Sequence, residues 1–274
     1  MSPVPSVHHA ELSDFIRGMA PLIGIDFSRY QKPALLRRLL PRMSQENAGS
    51  LTELLDKARQ DPACRARVQA DMTLHVTAMF RDPSYFAEVR RLLPVLGTYP
   101  SSRLWVAGCS TGQEVFTYLI LLHEAGLAER CRVYATDMSA TVLQQAQTGD
   151  IDPILLPEYE QNYRESGGVR ALSHYLAPRH GSLRVAPSLL EGVVFGVHNL
   201  LTDASFNEFH LVSCRNVMMY FDDLGQRTTH GLLHDSLAPF GCLGLGIGES
   251  LLHSAHQSAY QRIGQREPLY RRLR

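Results

Sequence analysis

The sequence predicts an α/β chain in two parts, an all-helical N-terminal domain over residues 1–96 and a parallel-sheet domain over residues 97–274, with an insertion at about 150–190. Three observations carry this reading. Up to Leu96, apolar residues recur at helical spacing. After the loop Gly97-Thr98-Tyr99-Pro100-Ser101-Ser102, short apolar runs bounded by turn residues alternate with helical stretches. Between about Asp150 and Ala186 a polar stretch bearing proline and tyrosine interrupts that alternation.

In the first part, Leu12, Phe15, Ile16 and Met19, and then Leu51, Leu54, Leu55 and Ala58, mark apolar helix faces. Pro33 suits the first turn of a helix running through Leu35, Leu36, Leu39 and Leu40, and Pro41 is expected to end or kink it. In the second part, Leu104 to Ala107 reads as a buried strand, followed by Gly108-Cys109-Ser110-Thr111-Gly112 and a helix from Gln113 to about Ala125. Arg132 to Thr136 is the next strand, with a helix from Ala140 to Gln147 after it. Val193 to Val197 and Phe209 to Ser213 resume the sheet, and a helix follows from about Leu224 to Leu237. Cys242 to Ile247 and Leu269 to Leu273 suit a closing antiparallel pair, with Gly241, Gly244, Gly246 and Gly248 expected to break the chain into turns. Such alternation implies right-handed crossovers and a ligand site at the carboxyl ends of the strands.

Composition removes several function classes. Lysine plus arginine (27) balances aspartate plus glutamate (27), so the chain lacks the positive field that drives phosphate-backbone binding, and nucleic acid is not an expected partner. Met1 to His9 contains no apolar signal core, and no stretch approaches the roughly 20 apolar residues of a spanning helix, so the expected location is cytoplasmic, without membrane insertion. Cys64, Cys109, Cys131, Cys214 and Cys242 are scattered and never form C-x-x-C, which suits reduced, buried thiols. The histidines, with His8 and His9 adjacent, show no H-E-x-x-H spacing, and no metal is assigned.

The glycine loop from Gly108 lets backbone approach a ligand while helix N–H groups point at it, although such a turn is equally a tight connection. Asp137, ending the second strand, adds an acid able to accept both ribose hydroxyls of an adenosine. Its alternative is a helix N-cap, a role that Ser139 also suits. G-x-x-x-x-G-K-[ST] and G-x-G-x-x-G are both absent, which speaks against triphosphate and nicotinamide cofactors and leaves S-adenosylmethionine as the natural candidate.

The whole chain then resembles the CheR family in segment order. His75-Val76-Thr77-Ala78-Met79-Phe80-Arg81-Asp82 is similar to the family's N-x-T-x-F-F-R-[DE] segment, Ala107 to Glu114 to its G-C-[SA]-[ST]-G-E-E loop, and Ala135-Thr136-Asp137 to its A-[TS]-D strand end. His198-Asn199-Leu200-Leu201 resembles x-N-L-L, and Cys214-Arg215-Asn216-Val217-Met218-Met219-Tyr220-Phe221-Asp222 resembles C-R-N-V-[ML]-I-Y-F-[DN]. Gly246-Ile247-Gly248-Glu249-Ser250 answers partly to G-x-S-E.

The resemblance implies a Rossmann-like class I methyltransferase domain with a small inserted β-subdomain. It also implies transfer of methyl from S-adenosylmethionine to glutamate carboxylates of methyl-accepting chemoreceptors, with S-adenosylhomocysteine as product. Residue by residue it implies that His75, Thr77, Arg81, Gly108, Glu114, Asp137, Asn199, Leu200, Arg215 and Asn216 surround the cofactor, while Arg81 and Tyr220 place the substrate carboxylate. Plainer roles stand beside these: Asn199 and Asn216 as loop caps, Arg215 as a structural ion-pair partner, Tyr220 as a core aromatic. Arg29, Lys32, Arg37, Arg38 and Arg42 would face an acidic receptor region, or simply be a solvated face. This chain departs from the family at His75, at Gln113 in place of the first loop glutamate, and at Val115-Phe116. The Ala177-Pro178-Arg179-His180-Gly181 connection is short where some members bind a receptor-tail pentapeptide, so no such tail is expected to be required.

Two rivals remain at this stage. Gly108-Cys109-Ser110-Thr111-Gly112 also spells the G-x-S-x-G elbow of a serine hydrolase, but everything upstream is helical where a hydrolase needs strands. The other is a cofactor-binding regulator that associates with receptors without methylating them.

Overall fold

The computed structural model describes residues 9–73, 76–179, 182–252 and 254–274. The chain forms two compact units, Met1–His75 with Tyr220–Gln226, and Val76–Met219 with Arg227–Arg274.

The first unit is helical, built from α1 (His9–Ile23), α2 (Lys32–Gln45), α3 (Leu51–Gln60) and α4 (Pro62–Met72). Local chemistry sets the helix starts. Ser50 caps α3 by accepting the Glu53 N–H at 3.1 Å, and Asp61 caps α4 by accepting the Ala63 N–H at 2.8 Å, with Pro62 supplying a first-turn residue that needs no donor. Leu12, Phe15, Met19, Leu35, Leu39, Leu51, Leu54, Ala58 and Val68 fill the core. Of the two outcomes expected at Pro41, an end to α2 does not occur: the helix continues to Gln45 with the proline inside it. Past Pro41, Met43 is buried and Arg42 pairs with Asp71 at 2.6 Å and Glu46 at 3.3 Å, contacts that outweigh the lost backbone bond. The segment 220–226 returns to this unit through Gln31 N–H to the Tyr220 carbonyl (2.8 Å), Asp222 N–H to the Arg29 carbonyl (2.7 Å), and an edge-on Tyr30–Phe221 ring pair.

The second unit is a twisted sheet with helices. In chain order it contains α5 (Pro83–Leu96), β1 (Ser102–Ala107), α6 (Gln113–Glu124), β2 (Cys131–Asp137), α7 (Ala140–Thr148), β3 (Asp150–Ile151), α8 (Leu156–Glu165), β4 (Leu176–Arg179), β5 (Ser182–Val185), α9 (Pro187–Leu190), β6 (Val194–Val197), β7 (Phe209–Cys214), α10 (Asp223–Ser236, whose first residues to Gln226 belong to the first unit), β8 (Leu237–Leu245), β9 (Tyr260–Arg262) and β10 (Leu269–Arg272). Strand order is β6-β2-β1-β7-β8-β10-β9. The first five run parallel, while β10 is antiparallel to β8 and β9 to β10. Parallel strands put the chain reversals after β6, β2, β1 and β7 on one edge of the sheet.

The inserted residues form a separate antiparallel sheet, β3-β5-β4. A carboxylate at the end of α6 anchors it: Glu124 accepts from Arg90 and from the Tyr163 and Tyr175 hydroxyls.

Two further expectations are corrected. The domain boundary expected after Leu96 falls at 75/76, because Tyr85, Phe86, Val89 and Leu93 of α5 pack with Leu104, Val106, Phe116 and Ile120 in the sheet-domain core. Gly241 and Gly244 do not make turns but lie within β8. They permit close approach instead, since a Cβ on Gly244 would overlap the Tyr85 hydroxyl and one on Gly241 would lie 2.8 Å from the Ala238 carbonyl oxygen.

Candidate functional site

The reversals after β1, β2, β6 and β7 carry most of the residues singled out above. After β1, the chain enters α6 through Gly108 (φ +73°), Ser110 (φ +50°) and Gly112 (φ +97°). Positive φ at three of five positions coils the backbone tightly, and the Gly108 and Cys109 N–H groups both donate to the Thr136 carbonyl, at 2.8 and 2.9 Å. A Cβ on Gly108 would fall 2.6 Å from Val217 Cγ2, and one on Gly112 2.6 Å from Phe116 Cζ.

Asp137 closes this turn. Its Oδ2 accepts the Ser110 N–H and its Oδ1 the Ser139 N–H, both at 3.0 Å, with only 8% of the residue exposed. The carboxylate thus clasps the loop and braces Ser139, the N-cap residue of α7, whose own side chain makes no cap bond. Each oxygen keeps a second lone pair for a ligand donor.

After β6, the His198 N–H donates to the Asp137 carbonyl at 3.1 Å, tying that loop to the same edge. Asn199 Oδ1 accepts the Leu201 N–H at 3.0 Å, and its own N–H donates to Asp203 Oδ2 at 2.9 Å, a bond that holds the Asp203 carboxyl below its usual range. Leu200 is buried beside it in the chain.

After β7, the Arg215 side chain is wholly enclosed, with none of its surface exposed. It donates to Glu114 Oε2 at 2.9 Å, to Asp82 Oδ2 at 2.7 Å and to the Arg81 carbonyl at 3.0 Å, and its guanidinium lies 3.9 Å over the Tyr85 ring. The other Glu114 oxygen accepts from Ser213 at 2.6 Å, and Ser213 is in turn bonded to Tyr118 at 3.1 Å. Burial opposes the Arg215 charge, but Glu114 and its neighbours raise its pKa overall; burial pushes the Tyr85 phenol up to about 12. Asn216 follows in the left-handed region (φ +58°), its N–H accepted by Glu249 at 2.9 Å.

The segment before α5 joins this edge through Arg215. Phe80 (φ +52°) and Asp82 (φ +59°) flank Arg81 with left-handed turns, and the Phe80 N–H donates to Thr117 Oγ1 at 2.9 Å. Arg81 is partly exposed, with its guanidinium donating to the Val76 carbonyl at 2.9 Å, and Thr77 is partly exposed nearby in the chain.

Thus Arg81, Gly108, Glu114, Asp137, Asn199, Leu200, Arg215 and Asn216 all belong to one hydrogen-bonded edge of the second unit. His75 lies outside the described residues. Tyr220 belongs to the first unit, where the Arg38 guanidinium sits 5.1 Å over its ring. Of the basic set, Arg42 and Arg38 are held within that unit, Arg38 donating to the Met72 carbonyl; Lys32 donates to Ser13 and Arg29 lies 3.9 Å from Asp222.

Sequence reasoning missed Ser213, Tyr85, Thr117 and the polar role of Glu249. Only Glu249 carried a signal, its place in the partial G-x-S-E match.

The arrangement fits a nucleoside cofactor with an amino-acid tail. The glycine loop leaves backbone open before the α6 N-terminus, Asp137 offers lone pairs, and the buried Ser110 hydroxyl has no protein partner. That orphaned hydroxyl also weakens the hydrolase reading, which needs a histidine bonded to it. Among the described residues, no cluster of histidine, cysteine and acids is arranged to hold a metal ion, and no helix is long and apolar enough to cross a membrane.

Comparison with known proteins points to the same cofactor class. Residues 75–267 match the family described as "CheR methyltransferase, SAM binding domain", and residues 10–73 match "CheR methyltransferase, all-alpha domain". The chain is 38% identical over 248 residues to a Pseudomonas putida protein named "Putative methyltransferase Cher3", covering 90% of this chain and 91% of that one. It is 32% identical over 231 residues to "Chemotaxis protein methyltransferase 1" of Pseudomonas aeruginosa, covering 78% and 80%. To "Chemotaxis protein methyltransferase" of Listeria innocua it is 25% identical over 244 residues, covering 88% and 90%.

Proposed function

The chain belongs to the CheR methyltransferase family, and from that premise we propose that it methylates glutamate side chains on the cytoplasmic parts of chemoreceptors. It is an S-adenosylmethionine-dependent methyltransferase. The observation that carries the site reading is the clasp of Asp137 on the Ser110 N–H, which sets an acid with spare lone pairs against a glycine loop and a helix N-terminus.

When bound, the cofactor supplies a methyl group on a sulfonium, a very good leaving group. Asp137 would accept the ribose hydroxyls, the Asn199-Leu200 turn would lie on the adenine side, and the N–H groups opening α6 would hold the cofactor carboxylate. Arg215 and Glu114 hold the frame, since each is engaged by the other and by Asp82 and Ser213. A glutamate side chain, which ordinarily titrates near pH ~4.3, is ionised at neutral pH and needs no general base. The protein's task is then alignment and removal of water from the carboxylate. Arg81 supplies a planar fork and Tyr220 one hydrogen bond, orienting the carboxylate without quenching it.

The receptor substrate is supported by the names of the relatives, several of which are chemotaxis methyltransferases. The shortness of the Ala177-to-Gly181 stretch in the sequence supports action without a receptor-tail pentapeptide; His180 and Gly181 themselves lie outside the described residues. Incubation with radiolabelled S-adenosylmethionine and tailless receptor cytoplasmic fragments tests all of this. Base-labile label that disappears in R81A and Y220F is expected. Binding of S-adenosylhomocysteine with no label transferred would instead indicate the non-catalytic regulator.

A further inference from the structure

We infer that Glu249 is a positioning residue, whose buried carboxylate fixes the loop after β7 so that Asn216 meets the cofactor. This rests on the reading of Asn216 as a cofactor contact. β7 and β8 are parallel neighbours with Cys214 opposite Leu245, so the chain leaves both strands side by side. Glu249 joins the two departing loops. Its Oε2 accepts the Asn216 N–H at 2.9 Å and the Gly246 N–H at 2.8 Å, and its Oε1 accepts the Met219 N–H at 3.1 Å. Its own N–H donates to the Gly246 carbonyl at 2.8 Å, closing the turn that aims the carboxylate inward.

Only 7% of Glu249 is exposed, so these charge-assisted bonds form away from competing water. They brace Asn216 at φ +58°, in the left-handed region that asparagine adopts more readily than most side-chain-bearing residues. Gly246 completes the device. A Cβ there would lie 2.8 Å from Asn216 N, Asn216 Nδ2 and Glu249 Oε2 alike, so any larger residue pries the carboxylate and the loop apart.

The test is calorimetric titration of the full chain with S-adenosylhomocysteine, comparing wild type, E249Q, G246A, N216A and the E249Q/N216A double variant, each checked for folding by circular dichroism. E249Q turns one acceptor into a donor facing an N–H and should weaken binding by about tenfold. G246A should do the same with the carboxylate intact, and it decides the matter if E249Q fails to fold. Because Glu249 acts through Asn216, the double variant should bind no more weakly than N216A alone. Wild-type affinity in both E249Q and G246A, or losses that add in the double variant, would overturn the proposal while leaving the Asn216 reading intact. Wild-type affinity in N216A would remove that reading and this proposal together.

Discussion

Arg215 and Glu114 form an ion pair at 2.9 Å in which the arginine side chain has no exposed surface at all. Stripping so enclosed an arginine from its partners is costly, because its removal leaves Glu114 and Asp82, both only partly exposed, without their cation. R215A should therefore destabilise the fold by about 3–5 kcal/mol, read as a lowered urea midpoint at constant slope. R215M, which keeps most of the volume, should lose nearly as much, because Glu114 and Asp82 still lack their partner. A variant that binds cofactor poorly yet unfolds like wild type would instead make Arg215 a ligand rather than a strut.

Gly108 carries both kinds of glycine requirement at once, a positive φ and a neighbour too close for a Cβ. G108A should lose about 1–3 kcal/mol from backbone strain alone and more from the clash with Val217. Adding V217A should recover the steric part and leave the backbone part. Thermal unfolding of the two variants separates the terms, and no recovery would mean that the loop moves rather than Val217.

The parts of this site that lie within one strand–loop–helix passage were legible in the sequence. Gly108 to Glu114 and Asp137 sit where local apolar runs and turn residues place them. Ser213 and Tyr85 were not legible, and Glu249 showed only as part of a turn match, because their bonds at the site depend on the register of β7 on β8 and the docking of α5 on the sheet core. Helical periodicity up to Leu96 said nothing about which core the last of these helices, α5, enters. Gly244 looked like a turn because its reason, the Tyr85 hydroxyl, lies far away in the chain. Pro41 left an end or a kink open because local propensity was weighed without the burial of Met43 beyond it.

Asp137 is the acid whose loss should be felt most by the cofactor. D137N replaces one acceptor with a donor, so either the Ser110 or the Ser139 N–H faces another N–H. S-adenosylhomocysteine should bind at least about tenfold more weakly, a loss of about 1.4 kcal/mol or more. Calorimetry at saturating protein checks this, and unchanged affinity would show that the ribose is held elsewhere.

Acid should unfold the second unit in two stages. Burial depresses the folded pKa of His210, His230 and His234 below the ordinary 6.5, so the stability tied to their neutral forms is complete above that value and declines as pH falls below it. Glu124 titrates later. Burial opposes its charge, but bonds from Tyr163, Tyr175 and Arg90 outweigh that and hold its carboxyl below the ordinary 4.5. Its contribution is therefore full above about pH 4.5 and is lost as pH falls through the folded value. Urea midpoints measured from pH 8 to pH 3 should fall gently below pH 6.5 and steeply below 4.5. E124Q should lower stability at neutral pH and flatten only the steeper limb, because a neutral amide has no proton to gain. If the steep limb survives E124Q unchanged, the anchor of the inserted sheet is not what acid removes first.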